Sequence, residues 1–174
     1  TPGPAALGGP WDAWATAYYA ADQLGVAKRS HGAVFKALHE DRSLPLVKKL
    51  CERIAAPKDY KDLALMVAQW HTHCHRALEL KPATILKVLQ SNDAFRRPER
   101  FEQFLVCCEA DARGRTGFEA REYPQADLFR KALCAAQAVD ITSIQAAGLT
   151  GKDFGDEVNR QRLQNLLQLK NSAP

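Results

Sequence analysis

Apolar residues recur every three or four positions along almost all of this chain and nowhere sustain a two-residue alternation, so helices are expected and strands are not. Trp11, Trp14 and Tyr18 stand at i, i+3 and i+7, which predicts an amphipathic helix over residues 11–24 ending at Gly25. Ser30 can cap a short helix through Leu38 with Val34, Phe35 and Leu38 inward. Prolines punctuate the remainder. Ser43 and Pro45 open a segment that carries Leu46, Val47, Leu50 and Ile54 inward. Pro57 and Asp59 open the longest pattern, with Tyr60, Leu63, Ala64, Val67 and Trp70 as its stripe, fading near Leu80. Pro82 starts a helix with Ile85, Leu86 and Leu89 inward, and Pro98 starts one in which Phe101, Phe104, Leu105 and Cys108 share a face to about Ala112. Gly114 and Gly117 then break the chain into a polar, arginine-bearing loop. Pro124 begins a helix with Leu128, Phe129, Leu133 and Ala136 inward, and Asp140 caps a short turn ending at Gly148. A last helix, from about Asp153 to Lys170, is expected to bury Phe154, Val158, Leu163, Leu166 and Leu167. The expected fold class is all-α, an irregular bundle of eight or nine helices joined by short loops.

A chain of 174 residues can bury roughly 70% of the surface its unfolded form exposes, enough for one sizeable core without disulfide or metal. The apolar run Leu63 to Val67 falls far short of the ~20 residues that span a bilayer, so no membrane helix is expected. Cys51, Cys74, Cys107, Cys108 and Cys134 are odd in number, lack C-x-x-C spacing and all lie in apolar-periodic segments. They read as reduced core residues of a cytoplasmic protein. A net charge of +4 permits a polyanionic partner without requiring one.

Two clusters could carry chemistry. In Trp70-His71-Thr72-His73-Cys74-His75, a helix puts His71 and His75 one turn apart on one face and rotates His73 by about 200°. His71 and His75 are therefore candidate metal ligands, but a third ligand must come from elsewhere and no H-E-x-x-H pattern is present. The plainer reading is histidines satisfied by water and neighbouring groups. The second cluster joins Arg96-Arg97-Pro98-Glu99-Arg100 to the run Glu109 to Gly117, which contains Arg113 and Arg115. Guanidinium groups near glycines can hold phosphates, yet the stretch from Arg96 to Glu122 carries as many carboxylates as arginines, so a salt-bridge lattice is at least as good a reading as an RNA patch. Neither a nucleophile elbow nor a phosphate-binding glycine loop or dinucleotide fingerprint occurs. Aromatic residues do not interleave with basic ones as a stacking platform needs, and Trp11, Trp14 and Trp70 sit at core spacing.

Leu46 to Arg53, Glu79-Leu80-Lys81-Pro82, Arg97 to Glu102, Glu109 to Gly117 and Tyr123-Pro124-Gln125-Ala126 together resemble the C-terminal half of bacterial CCA-adding tRNA nucleotidyltransferases over about residues 44–170. Ala110-Asp111-Ala112-Arg113-Gly114-Arg115-Thr116-Gly117 is the most specific part of the match. The resemblance implies the later part of an HD-type phosphohydrolase domain and the tail after it. The nucleotidyltransferase head has no counterpart here. Nor has the His-Asp dyad by which an HD domain holds its metal: at His71, where some family members carry His followed by Asp, Thr72 follows. Pro10 to Ala15, Tyr18 to Ala21, Leu24-Gly25-Val26 and His31 through His39 resemble instead the helical insertion of a DsbA-type thiol oxidase, without its C-x-x-C.

The expected organisation is a flexible leader over residues 1–10, a helical segment of separate origin over 11–44, and the CCA-enzyme portion over 45–174, with 11–170 sharing one core. The whole reads as a recombinant or designed chimera. Its expected role is a non-catalytic helical domain with at most residual tRNA binding through Arg96, Arg97, Arg100, Arg113 and Arg115, and no cofactor. The rivals are a metal-dependent phosphohydrolase using His71, His75, His39 and Asp59 or Asp62, and a self-associating scaffold.

Overall fold

The computed structural model describes residues 43–114 and 120–172. Helices expected over 11–24 and 30–38, together with Trp11, Trp14, His39 and Arg115, lie outside the described residues. Among those described there is no strand, and the chain forms α1 (Ser43–Arg53), α2 (Lys58–His75), a 3-10 turn (Ala77–Glu79), α3 (Pro82–Ser91), α4 (Pro98–Arg113), α5 (Pro124–Gln137), α6 (Ile141–Ala146) and α7 (Gly151–Ser172). The fold is all-α. Three helices begin on the prolines that announced them, at Pro82, Pro98 and Pro124, where the missing N–H costs nothing because first-turn donors have no intrahelical partner. Asp140 caps α6 as expected, accepting from the Ser143 N–H at 3.1 Å and from its hydroxyl.

Two compact units divide the chain. In the first, which includes Ser43–His75 and Glu102–Arg121, α1 packs on α2 through Val47, Cys51, Ala64 and Ala68. The first helix ends in a Schellman motif. Ala55 adopts φ 51°, its N–H reaches the Glu52 carbonyl at 3.2 Å, and the Ala56 N–H reaches Cys51 O at 2.8 Å. Phe104, Leu105, Cys107 and Cys108 of α4 are also buried in this unit.

The second unit holds Arg76–Phe101 and Glu122–Pro174, and in it α7 packs against α3, α5 and α6. Its core includes Ile85, Val88, Leu89, Phe129, Ala132 and Leu166, each at most 1% exposed. Phe101 meets Phe129 edge to face at 5.8 Å between centroids, a geometry aromatic rings favour. Lys170, in the last turn of α7, donates to the carbonyls of Leu78 at 3.1 Å and Leu80 at 2.6 Å and so ties that helix end to the 3-10 turn. A second Schellman motif ends α3: Asp93 has φ 52° and the Ala94 N–H bonds Leu89 O at 3.0 Å.

Five expected core side chains are exposed. Leu46 and Leu167 each sit beside a buried residue, Val47 and Leu166, and the helical rotation of 100° between neighbours turns them outward. Ile54 lies past the end of α1, and Tyr60 in the first turn of α2 precedes its first buried residues, Leu63 and Ala64. Cys134 is exposed because Ala132 and Ala136, two positions to either side, take the inner face of α5. The expectation that all five cysteines are core residues therefore fails at this one. No described helix is long and apolar enough to cross a membrane.

Candidate functional site

The histidine cluster lies on α2 in the first unit. His71 is buried at 5% exposure, as the helical spacing from Leu63, Ala64, Trp70 and Cys74 requires, and its Nδ1 lies 2.9 Å from the carbonyl oxygen of Val67, one turn back. His75 follows one turn on. The two rings meet nearly edge to face with centroids 5.8 Å apart, so both are on one face as expected. His75 Nε2 lies 2.9 Å from Asp111 Oδ2 of α4, both partly buried. His73 is turned away from that pair and its ring stacks obliquely near Trp70, at 5.0 Å.

Thiols crowd the same region. Cys74 and Cys108 are fully buried and share a side-chain hydrogen bond. Burial first, and that bond second, hold the Cys108 thiol well above its ordinary range, while burial alone pushes Cys107 up to about 11. Thiolate is the nucleophile and the metal ligand, so these sulfurs are chemically quiet at neutral pH. Among the described residues no group of three or more His, Cys, Asp or Glu side chains is placed to hold a metal ion. Of the other residues considered as ligands, Asp62 pairs with Lys58 at 2.6 Å and Asp59 stands in the exposed first turn of α2.

The arginines fall into two groups. Arg96 and Arg97 belong to the turn between α3 and α4 in the second unit, and Arg100 to the first turn of α4. Asp93 is the carboxylate near both, at 4.0 Å from Arg96 Nε and 3.7 Å from Arg97 Nε, while their side chains are 82% and 56% exposed. Such long, wet pairs hold a side chain weakly. Arg113, the last residue of α4, belongs to the first unit. It is engaged twice, with Glu109 at 2.8 Å and with the carbonyl of Arg121 at 2.9 Å, one ion pair and one backbone bond. Gly114 has a packing reason: its N–H bonds Ala110 O at 2.8 Å, and a Cβ there would lie 2.9 Å from that same oxygen.

Sequence reasoning missed one cation. Arg162 of α7 lies over the ring of Phe95, with its guanidinium carbon 3.8 Å from the centroid. Two signals were present: Phe95 directly precedes Arg96-Arg97, and Arg162 interrupts the apolar spacing Val158 to Leu166.

No protein-family model and no solved structure matches the chain. Curated relatives do. A "Multifunctional CCA protein" of Thioalkalivibrio sulfidiphilus is 56% identical over 132 residues, covering 76% of this chain and 32% of the relative. Proteins of the same name from Pseudomonas syringae and Hahella chejuensis are each 53% identical, over 135 and 137 residues. The chain thus spans about a third of the length of the relatives it matches. Over about three-quarters of its own length, the chain belongs to the family of the multifunctional CCA proteins, the CCA-adding enzymes, and matches their C-terminal region.

Proposed function

We propose that this chain is a non-catalytic helical portion of a CCA-adding enzyme that contacts tRNA through its arginines, Arg96, Arg97 and Arg100 foremost, with Arg113 and Arg115 as further contacts. The observation that carries the reading is the state of Arg96 and Arg97: solvent-facing guanidiniums on a fixed turn, loosely paired to a single carboxylate. A phosphate oxygen can replace Asp93 at little cost, because an exposed pair at such distances contributes about 0–1 kcal/mol. Arg113 is the weaker contributor, since an incoming phosphate must compete with Glu109. The imidazoles of His71 and His75 already have protein partners, which supports the non-catalytic part of the reading.

The matched 132 of 174 residues leave 42 outside, about the size of the segment 1–44 read as foreign. We also propose, as a separate reading, that residues 11–44 are of separate origin and share one core with the remainder over 11–170. A single cooperative thermal transition is the expected behaviour of such a shared core, and two separate transitions would refute it.

Fluorescence anisotropy with a labelled tRNA transcript tests the main reading. Binding should weaken with salt at a log–log slope of roughly −0.7 to −0.9 per phosphate contacted, and Arg96→Gln with Arg97→Gln should flatten it by about two such steps. Absence of binding at low salt would overturn the RNA role. Stoichiometric metal in purified protein, with turnover of a 2′,3′-cyclic nucleotide lost in His71→Ala, would establish the hydrolase rival instead.

A further inference from the structure

Arg162 occupies a position its helix otherwise reserves for apolar side chains. Val158, Arg162 and Leu166 fall at i, i+4 and i+8 on α7, one face of a helix, and Val158 and Leu166 are buried at 6% and 1% exposure. Its Nε is shielded from solvent and makes no hydrogen bond among the described residues. No described carboxylate pairs with it. Arg160, two positions earlier on the exposed side, shows the contrast, holding Glu157 with bonds of 2.7 and 2.6 Å. Burial disfavours the charged form of Arg162, although a guanidinium remains charged at neutral pH. Arg162 is partly buried, and a partly desolvated cation without a described counter-charge is disfavoured unless something offsets its lost hydration, as the Phe95 ring beside it does in part.

We propose that Arg162, lying over the ring of Phe95, is a phosphate-binding guanidinium of the second unit, which takes an oxyanion of an RNA backbone or of free phosphate. With the guanidinium carbon lying over the ring, the terminal Nη–H donors are the ones that would engage a tetrahedral oxyanion, which arginine binds through its N–H fork. The platform is fixed from below. Asp93 in the left-handed conformation closes the Schellman turn after α3, and the Arg96 and Arg97 N–H groups both bond its carbonyl, at 3.1 and 2.9 Å, so Phe95 is held within a hydrogen-bonded turn. On the α7 side, Asn159 accepts from Gln90 at 2.8 Å and Asn165 donates to the Ala135 carbonyl at 3.0 Å, which fixes the helix on both sides of Arg162. The turn that supplies the ring also supplies Arg96 and Arg97, so a ligand with several phosphates meets further positive charge in the same unit.

The RNA arm of this inference rests on the tRNA-contact reading above, and the phosphate arm does not. The test follows the Nε–Hε resonance of Arg162 in the arginine-labelled full chain while inorganic phosphate, and separately a short single-stranded RNA, is added. Saturable movement with either ligand is the expected result. Movement with phosphate alone assigns the site to small phosphates, and movement with RNA assigns it to the polynucleotide backbone. Arg162→Gln should then weaken RNA binding about tenfold and reduce the salt slope by about 0.7–0.9, with Arg162→Lys recovering only part, because an ammonium keeps the charge and loses the fork. Circular dichroism melts of both variants confirm that they are folded, and Phe95→Leu offers the same readout without touching the cation. An Arg162 resonance unmoved by both ligands overturns the proposal, and where RNA does move the resonance, RNA binding unchanged in folded Arg162→Gln overturns it as well. RNA binding that persists in Arg162→Gln and fails in the Arg96, Arg97 variant would leave the tRNA reading standing while this one falls.

Discussion

Replacing Ala55 with glycine should stabilise the first unit. Ala55 sits at φ 51°, where the Cβ of an L-residue approaches the following carbonyl at a cost of about 1–2 kcal/mol. Glycine removes that clash but gives the unfolded chain more freedom, which returns about 0.4–1 kcal/mol to the unfolded state. The Schellman bonds from Ala55 and Ala56 use only backbone atoms and survive the change, and Ala55 is exposed, so no packing is lost. The difference is a net gain of about 0.5–1 kcal/mol, seen as a rise of roughly 1–4 °C in Tm for a chain of this size. Urea titration gives the free energy directly, and an unchanged m-value would show that the denatured state's compactness is unaltered. Ala55→Val is the control, since a branched Cβ in the left-handed region should cost at least another ~1 kcal/mol. If glycine destabilises, or if glycine and valine are both neutral, the backbone at 55 is not left-handed and α1 does not end as described.

Asp93→Gly makes the same backbone change in the second unit and adds the loss of the two long pairs to Arg96 and Arg97, so its net gain should be smaller, near zero to ~0.5 kcal/mol by urea titration. Gly114→Ala should destabilise by about 1–3 kcal/mol, because the new Cβ would meet the Ala110 carbonyl oxygen at 2.9 Å; a neutral effect in denaturant titration would refute that contact. Under native conditions a disulfide reagent at pH 8 should label Cys134 quickly and Cys74, Cys107 and Cys108 slowly, since all three are buried and burial also suppresses the thiolates of Cys107 and Cys108; equal rates for all would contradict the packing. The Glu157 carboxyl, held at about 2 chiefly by the Arg160 hydrogen bonds and then by Gln161, has a folded pKa below its ordinary 4.5. Its contribution is therefore present above pH 4.5 and lost as pH falls from there through about 2, and Arg160→Gln should move the carboxyl's NMR titration midpoint upward.

The helices were legible because two independent signals coincide. Apolar spacing marks the inner face, and a proline at the first turn fixes where three helices begin, at Pro82, Pro98 and Pro124. Side chains near element ends were harder to place. Leu46, Ile54, Tyr60 and Leu167 all fit a helical stripe within the tolerance of a four-residue repeat, and each is exposed because its neighbour in sequence, or the end of the helix, decides which residue meets the core. Ala55 and Asp93 illustrate a related limit. A left-handed C-terminal cap normally announces itself as glycine, and a chain that places alanine or aspartate there conceals the turn that stops the helix.

The site divides along the same line between local and tertiary information. Pairing of His71 with His75 follows from spacing on one helix, and the Arg113–Glu109 bridge follows from an i, i+4 relation, so both could be read without a fold. The bond from His75 to Asp111 spans 36 positions and the stacking of Arg162 on Phe95 spans more, so neither has a sequence signature of its own. What the sequence does hold is the anomaly that such contacts resolve: a charged residue in an apolar stripe. Arg113 and Arg162 show why exposure and motif membership rank cations poorly. The motif arginine has its carboxylate and its carbonyl, and a phosphate must displace them, whereas the arginine outside any motif has an aromatic ring beneath it and a solvent-shielded donor still unmatched among the described residues. An incoming oxyanion gains most where part of the desolvation has already been incurred by folding and no counter-charge must be expelled, which is the ground on which the proposal for Arg162 rests.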